Sequence, residues 1–295
     1  MRSLLLFTIL AFTLLLSCNK KKGADKVDLV PEIVEPKPSL EILWQTDSLL
    51  TTCEAVLYDK TSQTIFVANV NNSPWEKDNN GFISTLNTKG EILDLKWAEG
   101  LSGPKGMGIL NGKLYVSDID EVVEIDIATK TMTARHKVDG SPQLNDITVS
   151  NNAVYVSGSN SDGIYQVENG VKLIAKDSLG RLNGLLYQEE GIFYAASRSH
   201  NFGFYNPKDN SFKTLTTEIG HGDGIVRLEN GDFIVSSWQG EIFYINQKDW
   251  SKTQLLDTRD KKINAADIDY IPSTQTLLVP TFFHNRVMAY KLKFE

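Results

Sequence analysis

Asn145-Asp-Ile-Thr-Val149, a turn at Asn151-Asn152, then Ala153-Val-Tyr-Val-Ser157: the stretch opens on short polar side chains, runs apolar, turns, and returns as a strand. The phrase recurs about six times. Its openings read Glu54-Ala-Val-Leu-Tyr58, Gly106-Met-Gly-Ile-Leu110, Asn145-Asp-Ile-Thr-Val149, Asn183-Gly-Leu-Leu-Tyr187, Asp223-Gly-Ile-Val-Arg227 and Ala266-Asp-Ile-Asp-Tyr270, at spacings of 52, 39, 38, 40 and 43 residues. A period near forty with strand-rich contents predicts a β-propeller in which each repeat is one four-stranded blade.

Second strands follow each opening, among them Thr64-Ile-Phe-Val-Ala68, Lys113-Leu-Tyr-Val-Ser117 and Asp232-Phe-Ile-Val-Ser236. Branched and aromatic residues in runs of four or five favour strands. The turns Asn111-Gly112, Asn151-Asn152, Glu190-Gly191 and Asn230-Gly231 suit the positive φ of tight hairpins. The last repeat has no fourth strand, while Leu40-Glu-Ile-Leu-Trp44 stands unassigned before the first. Pairing that strand with the last blade would close a six-bladed ring and remove an exposed edge. The first repeat carries a polar insertion, Asn71 to Asn80, around Trp75; it reads as a lid or as a long loop.

The N-terminus is organised differently. The apolar run Leu4 to Leu16 is shorter than the roughly 20 residues a spanning helix needs and fits the hydrophobic region of an export signal. Leu15-Leu16-Ser17-Cys18 resembles the bacterial lipobox, which implies cleavage after residue 17 and a lipid on Cys18. Residues 18–39, with five lysines and three prolines, read as a flexible tether, and residues 40–295 as the propeller. The expected location is the bacterial cell envelope, at the periplasmic or outer-membrane face. Loss of Arg2 with the signal leaves 29 basic against 37 acidic residues, a surface that repels nucleic acid. Cys53, the one other thiol, cannot form an internal disulfide and reads as a small buried hydrophobe. A monomer is expected.

In a propeller the innermost strands run along the central channel, so equivalent strand starts converge at one mouth. Glu54, Asn145, Asn183 and Asp223 hold that position in four blades. Two carboxylates and two amides in a narrow space repel unless an ion joins them, and all-oxygen donors favour Ca²⁺, with Mg²⁺ or Mn²⁺ as alternatives, over Zn²⁺. The bland alternative is that these residues merely form turns.

At these residues, over roughly 40–295, the chain resembles the senescence marker protein/gluconolactonase/luciferin-regenerating-enzyme family. The family's Asn-Asp matches Asn145-Asp146, its Pro-Asn-Gly matches Leu182-Asn183-Gly184, and its Pro-Asp-Gly matches Gly222-Asp223-Gly224. Its first-blade Glu-Pro-Trp pattern is kept at Glu54 without the Pro and with Tyr58 for the Trp. The resemblance implies a six-bladed propeller with a divalent metal held by Glu54, Asn145, Asn183 and Asp223, and lactonase chemistry in which Asp223 is the general base. Sugar-lactonase members carry Arg where this chain has Gln143, which lacks the charged fork for a polar substrate. Lys105, Gln143, His221 and Trp238 are the candidate substrate-binding residues, His221 reading also as a solvated loop residue and Trp238 as packing between blades. The competing function is a non-catalytic propeller that captures a ligand or protein. Gly103-Pro-Lys-Gly106 is no phosphate loop, and no nucleophile elbow is present.

Overall fold

The computed structural model describes residues 36–140, 142–168 and 170–295. The expected export signal, Cys18 with its expected lipid, and most of the expected tether lie outside the described residues. The remainder is six four-stranded antiparallel sheets. Their inner strands are Cys53–Asp59, Pro104–Leu110, Leu144–Val149, Leu182–Gln188, Gly222–Arg227 and Asp269–Ile271. Each inner strand touches the next, and the last touches the first, so the six line one axis as a closed ring. Among the described residues the helical pieces are two single 3₁₀ turns, Arg259–Lys261 and Pro272–Thr274, and no helix is long and apolar enough to cross a membrane.

Buried apolar clusters fill the spaces between blades, as alternation along the strands dictates. Phe66, Met107, Leu114 and Val123 join blades 1 and 2, while Phe193, Phe202, Phe233 and Phe243 join blades 4 and 5. Fourth strands such as Thr131–Lys137 alternate exposed and half-buried residues, as suits a rim in water. Cys53 is fully buried, its Sγ donating to the Arg286 carbonyl at 3.2 Å, and burial pushes its pKa up to about 12. It is chemically quiet.

The hairpins divide by turn chemistry. Asn111 and Gly112 both take positive φ (54° and 75°), as expected. Asn151 and Asn152 do not; there the turn is closed by Ser150, whose backbone N–H donates to the Ala153 carbonyl at 2.9 Å and whose Oγ accepts from the Ala153 N–H at 3.0 Å.

The last blade is completed by the N-terminal strand. Pro38–Gln45 pairs antiparallel with Val287–Phe294, from Pro38 opposite Phe294 to Gln45 opposite Met288, with a one-residue slip between Ile42 and Trp44. It starts two residues before the expected boundary at Leu40, because Lys37 and Glu295 exchange backbone hydrogen bonds at 2.6 and 3.1 Å and extend the ladder. Pro38 is tolerated as the first residue of an outermost strand, where no donor is required of it. A chain that begins at Thr46 leaves the Val287–Phe294 strand as an open edge. Its melting temperature is expected to fall by about 10 °C or more, with oligomers on size exclusion; a monomer of unchanged melting temperature would show that the closure is dispensable.

Candidate functional site

Five inner strands begin with the same irregularity. The pairing with the second strand slips by one residue between Cys53 and Ala55, Pro104 and Met107, Leu144 and Ile147, Leu182 and Leu185, and Gly222 and Ile225. This extra residue is a β-bulge, a device that re-aims side chains. Serines that end the second strands answer the backbone groups it displaces. Ser157 and Ser236 accept from the N–H of Asp146 and Gly224 at 2.9 Å, and Ser236 donates to the Ala266 carbonyl of the next blade at 2.7 Å.

The register fixes which residues are equivalent. Val56, Met107, Ile147, Leu185 and Ile225 hold one position, and Ala55 bridges Asp267 in parallel. The ring two residues earlier is therefore Glu54, Lys105, Asn145, Asn183, Asp223 and Ala266. In blade 2 this corrects the sequence alignment by one: Lys105, not Gly106, occupies the ring position. Gly106 belongs with Gly184 and Gly224 in the next layer, where side chains have no room. A Cβ on Gly184 would lie 1.8 Å from the Asp223 carbonyl oxygen, and one on Gly224 would lie 2.3 Å from the Ile268 nitrogen.

Glu54, Lys105, Asn145, Asn183 and Asp223 all line one cavity of about 300 Å³ at the channel mouth. The four oxygen-bearing members are 4, 6, 8 and 1 % exposed for Glu54, Asn145, Asn183 and Asp223. Glu54 Oε2, Asn183 Oδ1 and both Asp223 oxygens are shut from solvent without a hydrogen-bond partner. The Asn183 amide beside Asp223 favours the charged carboxylate but makes no hydrogen bond of ordinary geometry with it. Burial pushes Glu54 up to about 8, partly opposed by Lys105 and reinforced by Asp146. Asp223 is held well above the carboxylate range by burial and by repulsion from Glu54 and Asp146. Such orphaned buried oxygens are costly alone and fit a hard divalent cation. Among the described residues no group of three or more His, Cys, Asp or Glu is placed to hold an ion; the mouth offers two acids and two amides instead.

Lys105 is 2 % exposed, and its ammonium is committed upward. Nζ donates to the Pro74 carbonyl at 2.7 Å and the Gly103 carbonyl at 2.8 Å, and sits 3.9 Å from the centre of the Trp75 ring. It forms no ion pair with Glu54 among the described residues, although burial lowers its pKa to about 8 against the pull of Glu54 and Asp118. Lys105 thus ties the 71–80 insertion over the mouth, and Lys77 pins the same segment to Asp120 at 2.6 Å. The insertion supplies Pro74 and Trp75 to the cavity wall.

His221 and Trp238 also line the cavity. His221 lies two residues before Asp223, and its pKa is held below the usual imidazole range by burial and by His200, whose ring centre is 5.3 Å away. Trp238 packs edge-on against Phe282 and Phe283, at 5.4 and 6.0 Å between ring centres, and the three form an aromatic wall. Gln143 is not among the lining residues; its Oε1 accepts from Arg181 Nη1 at 3.1 Å. Arg181, Ser197, Phe282 and Phe283 are lining residues that the sequence reading did not name, while Pro74 and Trp75 belong to the insertion it read as a lid or a long loop. The pattern held a signal for Arg181, since it stands two residues before Asn183 as Gln143 stands two before Asn145.

One layer deeper, Asp146 of blade 3 and Asp267 of blade 6 interact across the axis, and burial raises both above the ordinary carboxylate range. Backbone donors support this region: Asp146 Oδ2 accepts from the Leu185 N–H at 2.6 Å, and Asp269, two residues beyond Asp267, accepts through Oδ2 from the Tyr58 N–H at 2.6 Å.

No protein-family model matches this chain, and no curated protein matches it in sequence. Solved structures share its fold. Virginiamycin B lyase from Staphylococcus aureus superposes with a TM-score of 0.64 at 11% identity, covering 87% of this chain and 100% of the lyase. A putative gluconolactonase gives 0.64 at 11% identity, covering 88% of this chain and 93% of its own. A luciferin-regenerating enzyme gives 0.58 at 14% identity, covering 87% and 95%. The propeller fold expected from the resemblance is therefore shared with these proteins, and in this chain it has six blades.

The buried acid pair carries its own test. Burial raises Asp146 to about 7 and Asp269 to about 6, and Asp267 well above its ordinary value. The folded protein keeps protons that the unfolded chain releases near pH 4, so stability falls as pH rises from about 4 to 7. In Asp267→Asn the amide can donate to an ionised Asp146. The difference in melting temperature between pH 5 and pH 8, measured in chelator, is expected to shrink; an unchanged difference would place the proton elsewhere.

Proposed function

We propose that the mouth binds one divalent cation, Ca²⁺ foremost, and hydrolyses a lactone or related ester. The observation that supports it is the set of buried, unpartnered oxygens of Glu54, Asn183 and Asp223 facing one small-molecule-sized cavity. Asn145 completes the donor set. When bound, the ion supplies Lewis acidity toward the substrate carbonyl.

The chain's own residues do the rest. Asp223 takes a proton from the attacking water and returns it to the alkoxide oxygen released as the C–O bond breaks. The burial that makes Asp223 reluctant to ionise makes it a stronger base once ionised than a surface aspartate. Trp75, Trp238 and Phe282 shield the cavity and hold the apolar part of the substrate. Glu54 shares the charge at the ring, and its partial offset by Lys105 keeps the two acids from repelling at full strength.

The same reading includes attachment to the cell envelope through a lipid on Cys18, a proposal that rests on the sequence; Cys18→Ser should move the protein to the soluble fraction of its host.

Two measurements test the mouth. Calcium at about a hundredfold over its dissociation constant should raise the melting temperature by roughly 5 °C, and Asp223→Ala should abolish that rise. Hydrolysis of a lactone panel should require the ion and fall by about a hundredfold or more in Asp223→Ala. Full activity in that variant would refute the base assignment. Ion binding without turnover of any lactone or ester would favour the non-catalytic ligand-binding propeller.

A further inference from the structure

The rim of the cavity holds a cation that makes no ion pair among the described residues. Arg181 precedes the ring residue Asn183 by two positions and lines the cavity. Its Nη1 donates to the Gln143 and Asn160 side-chain oxygens, both at 3.1 Å. Both acceptors are neutral. Among the described residues, Arg181 makes no ion pair, and its Nη2 and Nε donate to nothing.

The nearest acid is committed to another task. Asp162 Oδ2 accepts from the Gly180 N–H at 3.1 Å and its Oδ1 from the Leu182 N–H at 2.7 Å. Those two N–H groups flank Arg181. The carboxylate therefore clamps the backbone on either side and holds Arg181 in the left-handed region, at φ 69°, while leaving its guanidinium unpaired. The same conformation recurs two residues before the ring in Thr52 and Gln143, so it is a property of the blade entry, and in Arg181 it fixes where the guanidinium is carried. Gln143 and Asn160 orient one nitrogen and leave the remaining donors of the fork open.

We propose that Arg181 is the anion-recognition group of this cavity and that its ligand carries a carboxylate on an apolar body. The guanidinium matches a carboxylate in two parallel hydrogen bonds. The Trp75 ring centre lies 5.8 Å from the Arg181 guanidinium carbon, and Trp238, Phe282 and Phe283 supply an apolar wall. Position sets the orientation. Arg181 stands two residues before the ring, so a carboxylate paired with it stays at the rim and the other end of the ligand enters toward Glu54, Asn145, Asn183 and Asp223. In a protein of net charge −7, a local cation is what admits an anionic ligand. This rests on the reading of the cavity as the substrate site and names the substrate class: a lactone or ester bearing a free carboxylate.

The test needs binding, not turnover. The full chain is titrated with 4-phenylbutyrate and with 4-phenylbutanamide by tryptophan fluorescence, in calcium and again in chelator. The acid is expected to bind about tenfold tighter or more. Arg181→Met should bring the two affinities together. Gln143→Glu, which gives the guanidinium an internal partner, should cut the preference severalfold and leave the amide's affinity as it was. Equal affinities in the unaltered protein, binding of neither probe, or a preference that survives Arg181→Met would overturn the assignment; the last would hand the anion to the ion or to Lys105. Absence of hydrolysis refutes the hydrolase reading alone, because the probes contain no ester.

Discussion

Side chains along a regular strand alternate between the two faces of a sheet, so two successive residues cannot both turn toward one axis. The extra residue at the start of the inner strands breaks that alternation in five blades. It sends the first residue of each phrase to the mouth and the second into the channel. The second layer must then be nearly empty: Ala55, Gly106, Gly184 and Gly224 leave room for Asp146 and Asp267 alone to reach across. Closure of the ring by the Pro38–Gln45 strand keeps the six starts at one radius. Site geometry follows from a backbone irregularity repeated around a closed ring.

Two layers of buried acid, one above the other, have opposite fates. Asp146 and Asp269 receive backbone N–H groups, and Asp267, raised by burial, interacts with Asp146. Glu54 and Asp223 receive no such help. Burial without partners is destabilising, and a fold that could have closed these groups with serines, as it did for the bulged N–H groups, leaves them open. That contrast is what supports the proposal that the upper layer holds the ligand. Lys105 does not resolve it, because its donors are spent on the insertion that carries Trp75.

The propeller, the blade count and the closing strand were legible because they follow from period and strand composition, which a single chain displays. So were Glu54, Asn145, Asn183 and Asp223, which share a repeat position. What lay hidden depended on register. Gly106 drew the second phrase out of phase by one residue, since a Gly before an apolar run looks like the start of a phrase when it is the second position, as at Gly184 and Gly224. That shift concealed Lys105 as a member of the ring. Arg181 was hidden by Gln143: attention to the missing cation in one blade passed over the cation at the same position in the next. Trp75 and Phe283 come from segments outside the repeat, which periodicity cannot place.

The central claim is that the mouth of the channel is an ion site built from side chains of four blades. Diffraction from crystals soaked in manganese, recorded on the manganese absorption edge, tests it directly. The account requires a single anomalous peak at about 2.0–2.6 Å from oxygens of Glu54, Asn145, Asn183 and Asp223. An ordered mouth without that peak, or with the Lys105 ammonium turned down between Glu54 and Asp223, would contradict it.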